Sequence, residues 1–138
     1  MTRRAAVRRA GAGLLAAVAA CLIGVTAPAP AHAHHSFAMF DREHPAVLQG
    51  TVKDFQWTNP HVWIQVLVPA KAGGEEEWGV ECTSVNFMRR QGWDRTSLKS
   101  GDKIKITVYP LKDGSRGGQF GGLVELNGSP SNLPGYAR

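Results

Sequence analysis

The chain is poor in the residues that announce chemistry. Of its 138 residues only two are cysteine, at positions 21 and 82, and the expected processing at the N-terminus removes the first. A lone Cys82 cannot form an internal disulfide, so the fold has no covalent staple. The alternation Trp78, Val80, Cys82 on one strand face makes that thiol a buried structural residue, and no neighbour in sequence lowers its pKa. No Ser-His-Asp grouping stands at recognisable spacing, no glycine loop has the form that cradles phosphate, and no HExxH occurs. Cysteine or carboxylate ligands at structural-zinc spacing are likewise missing. These absences leave a hydrolase or a copper oxidase as the minority reading. A binding or accessory protein is the main one.

Basic charge is also less than it looks. Arg3, Arg4, Arg8 and Arg9 precede an alanine-, glycine- and leucine-rich run from Ala10 to Val25, closed by small residues around Ala29 to Ala33. That order is a secretory signal peptide, with Ala31-His32-Ala33 as the favoured site and cleavage before His34. Loss of residues 1–33 takes four arginines, so the net charge falls from +5 to +1 and no basic patch for nucleic acid survives. The apolar run is short for a membrane span and ends in Pro28 and Pro30, so no transmembrane anchor is expected after processing. Arg8-Arg9 is compatible with twin-arginine as well as general export, and Cys21 offers a lipoprotein site as the lesser alternative. The predicted location is the periplasm or the medium.

About 105 residues remain, enough for one small domain. Its organising stretch is Trp57-Thr58-Asn59-Pro60-His61-Val62-Trp63-Ile64. Proline fixes its own φ and disfavours helix in the residue before it, so the chain turns a corner at Asn59-Pro60. Beyond it Val62, Ile64, Val66 and Val68 recur at every second position, which predicts a strand with these four inward and His61, Trp63, Gln65 and Leu67 on the other face. Before it, Leu48, Gly50 and Val52 share one parity, but Phe55 and Trp57 share the other. One extra residue near Lys53-Asp54 brings all five into register, which predicts a β-bulge.

The rest follows in order. Lys71 to Glu77 is expected as a polar hairpin loop and Trp78 to Cys82 as a third strand. Thr83 or Ser84 can cap a short helix containing Val85, Phe87 and Met88, with Arg89-Arg90 at its negative end and Gly92 just past it. Lys103 to Tyr109 makes a fourth strand. Asp113 to Gly118 is expected as a loop, and Leu123 to Leu126 as a fifth strand weakened by Gly121-Gly122. The order β-β-β-α-β-β predicts a mainly β protein, a five-stranded OB-like barrel with one short helix behind a cleaved signal peptide. Its divisions are a signal peptide over 1–33, an N-terminal arm over 34–46, the barrel over 47–127 and a flexible C-terminal tail over 128–138.

His34-His35-Ser36-Phe37, Thr58-Asn59-Pro60-His61-Val62-Trp63, Arg89-Arg90-Gln91-Gly92-Trp93 and Leu98-Lys99-Ser100-Gly101-Asp102 together resemble a family of small exported bacterial proteins, domain-of-unknown-function family 6152. The likeness runs from His34 to about Leu126. It implies an exported single-domain protein and brings no activity or catalytic residue with it. The sequence departs from the family pattern at Gly117-Gly118-Gln119-Phe120 and in its glycine-rich last strand, which leaves that strand's length open.

Histidine position carries the main chemical expectation. Cleavage before His34 gives a terminus His-His-Ser-Phe, in which the α-amine and the His34 imidazole can chelate one ion with His35 adjacent. Cleavage before His32 gives His-Ala-His, another amine, amide and imidazole set suited to Cu(II). His61 can complete the site if the arm folds back, and Met39 can add a soft ligand for Cu(I). The expected metal ligands are therefore His34, His35 and His61, with copper as the ion. Trp57 and Trp63 flank His61 and are the candidate ligand face for a small periplasmic ligand. Most of the four tryptophans are expected in core or rim packing. Asp41, Glu43 and His44 form a charged cluster expected to be solvated.

Overall fold

The core of the barrel follows from the alternation of apolar and polar side chains. The computed structural model describes residues 37–133 and 135. Its strands are β1 (Ala46–Gln56), β2 (Trp63–Pro69), β3 (Glu75–Glu81), β4 (Lys103–Pro110), β5 (Gly117–Leu126) and the two-residue β6 (Ser129–Pro130), with one helix α1 (Val85–Arg90) between β3 and β4. Val62, Ile64 and Val66 are fully buried, while His61, Trp63 and Gln65 lie on the opposite face, as the period of two requires. Leu48, Val52, Val80, Ile104, Ile106, Val108 and Phe120 complete the same core.

The strands hydrogen-bond in the order β3-β2-β1-β4-β5-β6. A parallel pairing of β3 with β5, Gly79↔Gly117 to Glu81↔Gln119, closes the first five into a barrel. This closure pairs the β3 and β5 edges that an open sheet would expose. This is the OB-type arrangement, with the helix in the β3-β4 connection. The bulge is present: the β1-β2 register shifts between Val52 and Asp54, and Phe55 and Trp57 then pack against the core together with Leu48 and Val52.

Helix α1 ends as its sequence implies. The Ser84 side chain accepts from the Phe87 N–H, and Gly92 adopts φ +85°. Trp93 N–H donates to Met88 C=O and Gly92 N–H to Arg89 C=O, a pair of bonds that satisfies the last carbonyls. Met88 and Trp93, which the turn brings together, are both buried. Among the described residues no helix is long and apolar enough to cross a membrane.

Two boundaries differ from expectation. Glu75, Glu76 and Glu77 belong to β3 and not to the hairpin loop, because the ladder with β2 runs on through Val68↔Glu76 to Pro69↔Glu75. Ala70 to Gly74 alone make the turn, with Ala70 N–H donating to Gly74 C=O. Likewise Gly117 and Gly118 open β5 instead of sitting in a loop. At Gly118 a Cβ would stand 2.8 Å from the Tyr109 carbonyl oxygen, so only glycine lets β5 lie this close to β4. The glycines that make β5 look weak are what seat it between two partners.

The arm is pinned by Phe40, which is buried and bridges to Leu111, while Asp41 N–H donates to Pro110 C=O. At the other end the chain returns along β5: Ser129–Pro130 pair with Leu126 and Glu125, Ser131 N–H donates to Val124 C=O, and Leu133 packs against the core. Residues 1–33, with Cys21 and the expected cleavage site, lie outside the described residues, as do His34 and His35.

Candidate functional site

The outer face of the barrel beside the β1-β2 connection carries one continuous row of side chains. Register places Gln56 beside Trp63, Trp63 beside Glu81, Glu81 beside Gln119 and Gln119 beside Tyr109, one residue from each of five neighbouring strands. Residues directly opposite on adjacent strands have side chains in reach of one another. Three of them are sunk below what an outer face usually allows: Glu81 is 7% exposed, Gln119 9% and Tyr109 9%. A carboxylate buried to this degree needs a partner, and its partner is His61. Imidazole Nδ1 of His61 pairs with Oε1 of Glu81.

The local sequence explains how that pair forms. The Asn59-Pro60 bond, which is cis, sits in the corner, and the β2-β3 ladder resumes at once: Val62 N–H donates to Thr83 C=O at 2.9 Å and Cys82 N–H to Val62 C=O at 2.8 Å. Those bonds point Val62 into the core and so turn His61 outward toward β3. The Trp63 indole extends over β3, its Cζ3 at 3.8 Å from where a Cβ on Gly79 would stand, an ordinary contact distance. Arg42 of the arm stands over the Tyr109 ring, 5.2 Å from its centroid, at the far end of the row. Among the described residues the Gln119 amide has no hydrogen-bond partner, which leaves a donor and an acceptor available beside Glu81.

The structure separates the two tryptophans of the corner. Trp63 lies in the outer row. Trp57 packs against the core, its ring 5.6 Å from Phe55, which is 6.4 Å from Trp93, itself edge-on to Phe120 at 5.5 Å. The bulge at Lys53 puts Phe55 and Trp57 on the inward parity, so only Trp63 borders His61 on the row. Trp78 also packs against the core and Trp93 is buried in it. Cys82 is buried as well.

Asp41 and His44 form a separate exposed pair, Nδ1 to Oδ2 3.0 Å, and Asp41 also accepts from the Glu43 and His44 backbone N–H groups. The His44 hydrogen bond holds the Asp41 carboxyl below its ordinary range. This is a turn closure on the arm, fastened by the Asp41 N–H to Pro110 C=O next to the Tyr109 end of the row. Glu81, Gln119 and Tyr109 were not apparent as site residues from sequence. Glu81 holds a polar position on a strand, and Gln119 sits in a glycine-rich stretch that has no strand signal of its own. Among the described residues no three potential metal ligands gather.

A closed five-stranded β-barrel of OB type, with this row across all five strands beside the β1-β2 connection, defines the class: in such barrels the strand 2–3 face and the connections β1-β2 and β4-β5 are where ligands bind. A family model matches residues 22–120, 99 of the 138 residues, and the chain belongs to that family, a family of unknown function (DUF6152). No curated protein and no solved structure matches the chain.

Proposed function

We propose that the protein is an exported accessory protein that binds Cu(II), with His34 and His35 of the mature terminus and His61 of the barrel as ligands. The observation that supports this reading is the Glu81–His61 pair. A histidine that binds a metal usually gives its other ring nitrogen to a carboxylate, which sets the tautomer and the ring orientation. With Nδ1 turned to Glu81, Nε2 is the atom His61 would offer an ion. Two further donors must come from outside the described residues. An amine and imidazole donor set favours copper over the other divalent ions by the Irving–Williams order.

The test is copper content of protein exported with its native signal sequence. Intact mass should place the terminus at His34. One bound copper is expected, with affinity falling as pH drops below the ordinary imidazole range of about 6.5. Glu81→Gln should weaken binding by about 10-fold or more while keeping the ligand count. Equal copper uptake by the His34→Ala, His35→Ala double variant overturns the proposal.

A further inference from the structure

Strand β1 changes partners half-way along its length. Ala46 to Thr51 pair with β4, and Thr51 to Gln56 pair with β2. In an antiparallel ladder successive residues aim their N–H and C=O to opposite sides. Val52 fixes the phase: its N–H donates to Asp102 C=O and its C=O accepts from Gly101 N–H, both on the β4 side. Leu48 and Gly50 share that side, so Val47, Gln49 and Thr51 aim toward β2. Thr51 meets Leu67 there. The next pair in the same register would be Gln49 with Pro69, and proline has no N–H to give. The β1-β2 ladder accordingly stops at Thr51↔Leu67, and β2 continues only against β3, through Val68↔Glu76 and Pro69↔Glu75.

This leaves a wedge with an open strand edge. Among the described residues no backbone group pairs with the N–H or C=O of Val47 and Gln49 on the β2 side. A cleft of about 790 Å³ lies beside Gln49, lined by Gln49, Thr51, Lys103 and Lys105 on one side and by Pro69 and Glu75 of the β2-β3 hairpin on the other. Its charges are not balanced alike. Lys105 is neutralised by Glu125 at 3.0 Å, whereas among the described residues the Lys103 ammonium meets only the Thr51 hydroxyl, at 2.6 Å, and Glu75 on the opposite wall has no ion pair. An open edge that offers main-chain hydrogen bonds, beside an unanswered cation, is what a strand-adding peptide recognises.

We propose that this wedge takes an extended peptide segment of a partner protein, added as a strand along Val47–Gln49 with a carboxylate side chain answering Lys103. The hairpin bearing Pro69 and Glu75 stands over the far side of the cleft, so a single strand fits where a second folded barrel would meet the hairpin first. The site lies at the Pro69 end of β2, the opposite end from His61, and it stands or falls independently of copper.

The probes are two capped eight-residue peptides of alternating threonine and valine, one with a central aspartate and its twin with a central lysine. They are added at millimolar concentration to the full exported protein, and backbone hydrogen exchange is followed by NMR. The aspartate peptide should slow exchange at Val47 and Gln49 and leave Leu48 and Gly50, already bonded to β4, unchanged. The lysine twin should protect less, and Lys103→Glu should invert the preference. Pro69→Thr, which restores the missing donor, should protect Gln49 without any peptide and abolish peptide binding. Absence of protection by the aspartate peptide overturns the proposal, as does equal protection by the two twins. Protection of Val47 and Gln49 that rises with protein concentration alone would assign the edge to a second copy and overturn it too.

Discussion

Both ends of β2 are marked by a proline, and the two do opposite things. At the Pro60 end the chain turns and the ladder to β3 closes again within two residues, which sinks Glu81 and Gln119 and fastens His61 to Glu81. At the Pro69 end the missing N–H falls where β1 would have been its partner, and the ladder opens into a wedge. The same residue type therefore builds a dense polar row at one end and an unpaired edge at the other. What decides is whether the proline precedes the ladder or occupies a bonding position inside it.

The largest effects test the barrel that both ends share. Ile64 is fully buried and Gln65, next to it, faces outward on the side of the polar row. Ile64→Ala should cost about 2–5 kcal/mol of unfolding free energy by the large-to-small core rule, and Gln65→Ala no more than about 0.5 kcal/mol, both read from urea denaturation. Comparable costs would mean that the two faces of β2 are not distinguished as described. A smaller effect is expected at the closure. Gly118→Ala sets a Cβ 2.8 Å from the Tyr109 carbonyl oxygen and 3.3 Å from Pro110. About 1–3 kcal/mol should be lost as β5 moves off β4. Because Gln119 is the next residue, the change should also perturb the row and raise amide exchange at Glu81, while exchange at Val47 and Gln49 stays as it was. An equal response at both ends would erase the contrast between them.

Much of this was legible in the sequence, and the exceptions share a cause. The β2 parity, the bulge at Lys53, the Ser84 cap and the Gly92 stop are all local: each is decided by residues within one or two turns or strand steps. The start of β3 at Glu75 is not, because three glutamates resemble a loop until Val68 and Pro69 are known to lie opposite them. Nor is β5 from Gly117, since its partners β3 and β4 are distant in sequence and the glycines signal close approach only once those partners are in place. The site divides the same way. His61 and Trp63 stand out beside the Asn-Pro corner. Their meeting with Glu81, and the descent of Gln119 beside it, depend on the parallel closure of the barrel, which no stretch of the chain announces.

The smallest effect expected is electrostatic and lies near the Pro69 end, where β3 departs toward the hairpin. Glu76 Oε1 accepts from Arg116 at 2.8 Å, tying β3 to the segment that leads into β5. This hydrogen bond, chiefly, holds the Glu76 carboxyl below its ordinary value of 4.5, with slight burial pulling the other way. A carboxyl lowered in the folded state contributes stability above its unfolded value and loses it as pH falls through its folded value. The contribution of Glu76 is therefore complete at neutral pH and should begin to fade below about 4.5. Both side chains are solvent-exposed, so water and salt screen the pair and the gain is small. Arg116→Gln should leave the melting temperature at pH 7 within a degree or two and make its decline between pH 5 and pH 3 shallower than in the parent. Added salt should shrink the difference between the two proteins. An undiminished difference in high salt would mean that Arg116 acts by packing over the β3-β5 seam and not by its charge.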